Sequence, residues 1–212
     1  MADILISALK ETIIMVLAST LFSVILGFIP AIILTLTAKD GLKPNKVVYS
    51  ILDFIVNTLR SFPFVILMVI IIPFTRLLVG KTYGTAAAIV PLTIAAAPFV
   101  ARIIESSLRE VDKGVIEAAK SFGASNTQII FKVMLKEAVP SIVSGITLTV
   151  ISIVGYSAMA GTLGGGGLGD VAIRYGYQRF ETSTMIITCI ILIIVVQVLQ
   201  ILGNYFYNKL SK

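Results

Sequence analysis

Residues 117–140 read EAAKSFGASNTQIIFKVMLKEAVP, a polar, helix-favouring stretch set in a chain that is otherwise almost entirely apolar. In such a chain the polar loops carry the information, because long apolar runs answer first to the bilayer. From Arg102 to Glu137 helix formers predominate, and Ser106, Ser125 and Asn126 are candidate caps. Gly123 divides the stretch: a residue without a side chain takes the left-handed backbone at little cost, so the spacing predicts two short helices joined there. Val115, Ile116, Ala119 and Phe122 recur at helical spacing and predict an apolar face on the first helix, with Glu117 and Lys120 directed elsewhere. Glu105, Glu110, Asp112, Glu117 and Glu137 stand among the bases, whereas a helix resting on an anionic bilayer favours bases alone. The pattern is that of an element gripped by a groove in another protein.

Composition sets the medium. Of 212 residues, 57% are hydrophobic and 13% charged, with a mean hydropathy of +1.01; soluble domains run at about half apolar and a quarter charged. The lipid bilayer is therefore the first partner. With no His and one Cys, Cys189 in an apolar run, the chain offers neither a zinc set nor an internal disulfide. The net charge of +6 is spread over loops that also hold acids, without a basic stripe or aromatic platform, which argues against nucleic acid. Asp3 precedes any base and no small-residue cleavage site follows, so the first apolar stretch is read as a permanent span.

A helix needs about 20 apolar residues to cross the hydrocarbon core. Five segments meet or approach that length, roughly 12–38, 54–78, 85–104, 141–160 and 184–206. The second is interrupted at its start by Asp53, Asn57 and Arg60; its continuous apolar part begins at Phe62, which places the preceding residues along the interface. With the N-terminus outside, eleven Lys and Arg fall on the inner side and five on the outer, Arg60 aside. That count favours N-out and C-in, with the 117–140 segment facing the cytoplasm.

The fourth span carries a polar and small stripe, Ser141, Gly145, Thr149, Ser152, Tyr156 and Met159, about 27 Å long at 1.5 Å per residue. Small residues at such positions serve helix packing as readily as a pore. Tyr156 and Met159 are too large for a small-residue seam, and an amphipathic ring with a thioether suits the passage of an apolar, sulfur-bearing amino acid. Ser152, Tyr156 and Met159 are thus candidate path residues. Arg60, the one base near membrane depth, either faces a gate or cavity or snorkels to the interface. Prolines 63, 73, 91 and 98 predict bends or breaks in spans two and three. Gly164, Gly166 and Gly169 fit G-x-G-x-x-G, but they follow a membrane helix rather than a strand and read as an external hairpin. Gly80-Lys81-Thr82 resembles the end of a P-loop, yet Thr75 stands at the position of its first glycine.

The 117–140 segment resembles the EAA loop by which permease subunits of ABC importers dock onto their ATPase. Val154 to Phe180, VGYSAMAGTLGGGGLGDVAIRYGYQRF, together with RSFPF at 60–64, IPFTR at 72–76 and AAIVPLTIAAAPFVAR at 87–102, resembles the methionine-importing ABC permeases, the methionine uptake transporter family. The resemblance runs from about Leu9 to Gly203. It implies an all-α, polytopic type I importer permease of five spans, with one transmembrane domain over 9–203 and a coupling loop over about 105–138. It assigns Glu117, Ala118, Ala119 and Gly123 to the coupling motif, the alanines allowing close approach and Glu117 pairing with a base on the ATPase. Val139 stands where the pattern has Leu before Pro140, and Lys136 where relatives often have Pro, which puts only the helix end in question. The implied assembly is a homodimer in the bacterial inner membrane, with a cytoplasmic ATPase dimer that binds ATP and Mg and an extracytoplasmic methionine-binding protein. No cofactor and no catalytic site are expected in this chain.

Two other classes fit the sequence less well. A secondary transporter calls for an inverted repeat, which five unequal spans with one long polar loop do not show. An intramembrane enzyme lacks histidine, paired membrane carboxylates and a nucleophile elbow. An ABC permease for another amino acid or small nutrient remains the alternative.

Overall fold

The structure, a computed structural model, describes residues 1–211, and among them it is helical without any strand. In chain order the helices are α1 (Ala2–Thr37), α2 (Lys46–Ser61), α3 (Phe64–Ile70), α4 (Ile72–Val79), α5 (Thr85–Arg109), α6 (Lys113–Ser121), α7 (Asn126–Gln128), α8 (Leu135–Ala160), α9 (Gly167–Val171) and α10 (Thr182–Leu210). Four apolar runs are long enough to span a membrane: α1, α5, the continuous run Asn126–Gly165 that contains α8, and α10. The fifth expected span is not one helix. α2 and α3 meet at 101°, because Phe62 and Pro63 are both extended and the ring of Pro63 disfavours helix at the residue before it. A second break falls at Ile71, ahead of Pro73 in the first turn of α4, where its missing N–H costs nothing.

Packing runs opposite to that of a soluble protein. The buried residues of α1 include Ala8, Thr12, Ser19, Ser23, Gly27 and Ala31, while Ile14, Leu17, Leu21, Ile25 and Ile29 are exposed. Small residues let helices approach closely, and large apolar ones suit lipid tails. The most extensive helix pair is α1 with α5. At its centre a Cβ on Gly27 would stand 2.6 Å from the Ala97 carbonyl oxygen and 2.9 Å from the Ala101 nitrogen, so the backbones touch where no side chain intervenes. Cys189 lies on the exposed surface of α10.

Three expectations need correction. Pro91 and Pro98 do not break α5, and Pro140 lies inside α8 rather than at a helix end. A proline removes one backbone bond, and neighbouring helices keep the axis together. The second loop helix therefore continues through a π-helical stretch, Ile129–Met134, directly into the fourth span. The glycine segment 161–169 is not a simple hairpin. It is a π-helical turn followed by the short α9, which folds back on the end of α8 so closely that a Cβ at Gly169 would collide with the Ala158 backbone. Glu11 and Thr12 of α1 accept the Gly167 and Leu168 N–H groups at 2.7 and 2.9 Å.

Candidate functional site: a docking loop, a polar strut and an apolar cavity

The loop between α5 and α8 forms as two helices. Asp112 caps α6 by accepting the Gly114 N–H at 2.6 Å. Gly123 turns the chain at φ +78°. Ser125 and Gln128 form a reciprocal capping box at the start of α7. Ser106 caps nothing, lying within α5. The predicted apolar face of α6 divides in two. Ile116 and Ala119 pack inward on a buried cluster that includes Leu108, Ile129 and Met134. Val115, Ala118 and Phe122, spaced i, i+3 and i+7, face outward, with Phe122 90% exposed. Glu117 is exposed and, among the described residues, forms no ion pair. Of the motif residues, Ala119 is half-buried against the bundle while Glu117, Ala118 and Gly123 lie on the open side. Beside α6, a cavity of ≈ 150 Å³ is lined by Glu117, Lys120 and Arg109 together with Asp40 of the α1–α2 turn.

Behind the loop stands a polar strut that the sequence did not single out. Glu105 is buried, and its carboxylate accepts from Arg102 Nη1 at 2.6 Å and from the Tyr49 hydroxyl at 3.2 Å. Arg102 Nη2 also reaches Asp53 at 2.5 Å and Asn57 at 3.0 Å. Arg109 lies 3.6 Å from Glu105 and donates to Asp40 at 3.0 Å. The strut thus ties α2 and the α1–α2 turn to the last turns of α5, where the polar loop begins. A faint signal for it exists: Tyr49, Asp53 and Asn57 recur every four residues on α2, and Arg102 and Glu105 stand three apart on α5.

The stripe on α8 serves two purposes. At the loop end, Ser141 accepts from Ser107 at 2.9 Å and donates to Glu110 at 3.2 Å, and a Cβ at Gly145 would collide with Ile103; both positions meet α5, and both also line an open cavity of ≈ 670 Å³ with Glu110, Glu137 and Tyr207. Farther along, Thr149, Ser152 and Tyr156 join Ala96, Phe99 and Ile103 around a cavity of ≈ 230 Å³. Arg60, at the end of α2, stacks on Phe99, its guanidinium carbon 4.9 Å from the ring centroid. Phe64, at the start of α3, stacks on Tyr156 at 5.0 Å. Met159 is 46% exposed, one turn beyond Tyr156 toward the glycine segment. Ser152 and Tyr156 therefore line one cavity, Arg60 reaches it through the ring of Phe99, and Met159 stands apart from it.

An all-helical membrane bundle with a polar two-helix loop at one end is the architecture of a transport permease subunit. The chain belongs to the binding-protein-dependent transport system inner membrane component family, whose model matches residues 23–212. It is 51% identical over 210 residues to the probable D-methionine transport system permease protein MetI of Vibrio cholerae, covering 99% of this chain and 93% of that one. It is 46% identical over 180 residues to the methionine import system permease protein MetP of Bacillus subtilis, covering 85% and 81%. Among solved structures, a chain of the inward-facing MetNI methionine ABC transporter superposes with a TM-score of 0.98 at 40% identity, covering 100% of this chain and 98% of that one. A chain of an amino acid ABC transporter shares the fold at a TM-score of 0.81 and 20% identity, covering 98% and 94%.

Proposed function

We propose that this chain is the permease subunit of an ATP-driven methionine importer. It works as a homodimer with a cytoplasmic ATPase dimer and an extracytoplasmic methionine-binding protein, its transmembrane domain spanning 9–203 and its coupling loop about 105–138. The observation that carries this reading is the uncovered face of α6, where Val115, Ala118 and Phe122 point away from the bundle beside an unpaired Glu117. An apolar knob with one orienting charge is what helix-in-groove recognition requires. One chain supplies one such loop, so a two-fold dimer is needed to meet two ATPases and enclose a path.

ATP and Mg belong to the ATPase subunits. Movement of the docked α6 reaches the π-helical stretch that leads into α8, against which it packs, and α5 through the short 110–112 linker, with the Arg102–Glu105–Asp53 strut carrying it on to α2. The α2–α3 elbow touches Phe99 and Tyr156 at the cavity wall, which gives that movement a route to the path residues Ser152 and Tyr156; Met159, one turn farther along α8, lies on the same helix. A rigid-body shift of this kind is an ordinary switching motion.

Two outcomes test the arrangement. Glu117→Ala is expected to weaken ATPase association by about 1 to 3 kcal/mol through a lost charge-assisted contact, Phe122→Ala by about 2 kcal/mol or more through lost aromatic burial, and Gly123→Val to distort the turn, since its φ of +78° is costly for a branched residue. All three should insert normally, with the loss read by co-purification of the ATPase and by transport per ATP hydrolysed; wild-type values in all three would remove the loop from the mechanism. For orientation, a cysteine at Lys43 is expected to be shielded from impermeant reagent in intact cells and one at Gly164 labelled, as the distribution of bases directs. Labelling of position 43 from outside would reverse the topology.

A further inference from the structure

The α2–α3 elbow, Arg60 to Phe64, touches both aromatic walls of the ≈ 230 Å³ cavity, through Arg60 on Phe99 and Phe64 on Tyr156. Arg60 is the unsatisfied member of this arrangement. Its Nε is buried without a hydrogen-bond partner, and among the described residues it joins no acid, whereas Arg102, Arg109 and Arg174 all do. Asp53 and Asn57, the polar residues preceding it on α2, are already engaged by Arg102. A half-buried cation set over an aromatic ring with no counter-ion lacks an anion, and the planar fork of a guanidinium fits a carboxylate. On the cavity lining, the Ser152 hydroxyl donates to the Leu148 carbonyl at 3.0 Å, leaving its lone pairs free to accept.

We propose that Arg60 receives the α-carboxylate of an amino acid in transit, with Ser152 accepting from its ammonium and the cavity between Phe99, Ile103 and Tyr156 holding its apolar side chain. The permease then has an amino-acid site of its own, distinct from that of the binding protein that delivers the cargo. The inference rests on the reading of the chain as an importer of an apolar amino acid.

The test uses the permease–ATPase complex in nanodiscs, without the binding protein, and measures equilibrium binding of radiolabelled methionine with methioninamide as competitor. The wild type should bind methionine and prefer it to the amide at least about tenfold, the loss of one charge-assisted pair. Arg60→Gln should weaken methionine binding by about the same factor and abolish the preference; Arg60→Lys should retain part of both. Complex yield is recorded for each variant, and if Arg60→Gln fails to assemble, Arg60→Lys and the wild-type comparison with the amide decide. Equal competition by the amide, wild-type affinity in the Arg60 variants, or no methionine binding by the wild type would overturn the site. Methionine uptake by the complete wild-type system is measured in parallel. Uptake without discrimination at Arg60 rejects the site alone, whereas absence of uptake rejects the importer reading as well.

Discussion

Glu105→Ala is expected to destabilise the folded chain by about 1 to 3 kcal/mol, the loss of charge-assisted hydrogen bonds to a buried carboxylate whose part-exposed partners keep other acids. Glu105 is 1% exposed and lies at the junction of Arg102, Arg109 and Tyr49. Without it Arg102 keeps Asp53, but the inner end of the strut holds a cation facing an emptied pocket. Thermal unfolding of the purified chain in detergent reads the loss. Glu105→Gln should cost less, since an amide oxygen still accepts from Tyr49. Unchanged melting of Glu105→Ala would mean that the strut contributes nothing to holding α2 on α5.

Gly27→Val is expected to have a comparable or larger effect through sterics alone. Any Cβ there lies within 2.6 Å of the Ala97 carbonyl oxygen, which is backbone and cannot rotate away. Relief requires α1 and α5, the most extensive helix pair in the bundle, to separate along their seam. Overpacking commonly costs about 1 to 3 kcal/mol, and a clash with a neighbouring backbone belongs at the upper end or beyond. The expected result is a sharp fall in folded yield, with Gly27→Ala intermediate. Wild-type yield and melting for Gly27→Val would show that the seam is loose.

Residues whose meaning is local were legible in the sequence. The turn at Gly123 follows from the backbone freedom of glycine, and the long apolar helices follow from runs that water would not tolerate. The α2–α3 bend was half legible: Asp53, Asn57 and Arg60 marked where the apolar run fails, but only the extended pair Phe62 and Pro63 shows how sharply the chain turns. The facing of α6 was not, because Val115 and Ile116 are adjacent and both apolar. Which of them turns inward is decided by Leu108 and Met134 on other helices. The strut was hidden for a similar reason. Tyr49 and Glu105 lie 56 positions apart, and nothing in either local pattern names the other. On α8, one regular stripe conceals a division of place: Ser141 and Gly145 meet α5 and line one cavity, while Ser152 and Tyr156 line another.

Methionine uptake into proteoliposomes holding the permease with its ATPase, supplied with the binding protein outside and ATP inside, tests the central claim most directly. Accumulation is expected to require all three components, to exceed that of other amino acids, and to be blocked by Met159→Arg in complexes assembled at normal yield, because a charge placed in an apolar path must be desolvated. Preferential uptake of a different nutrient, or methionine uptake that proceeds without the ATPase, would contradict it.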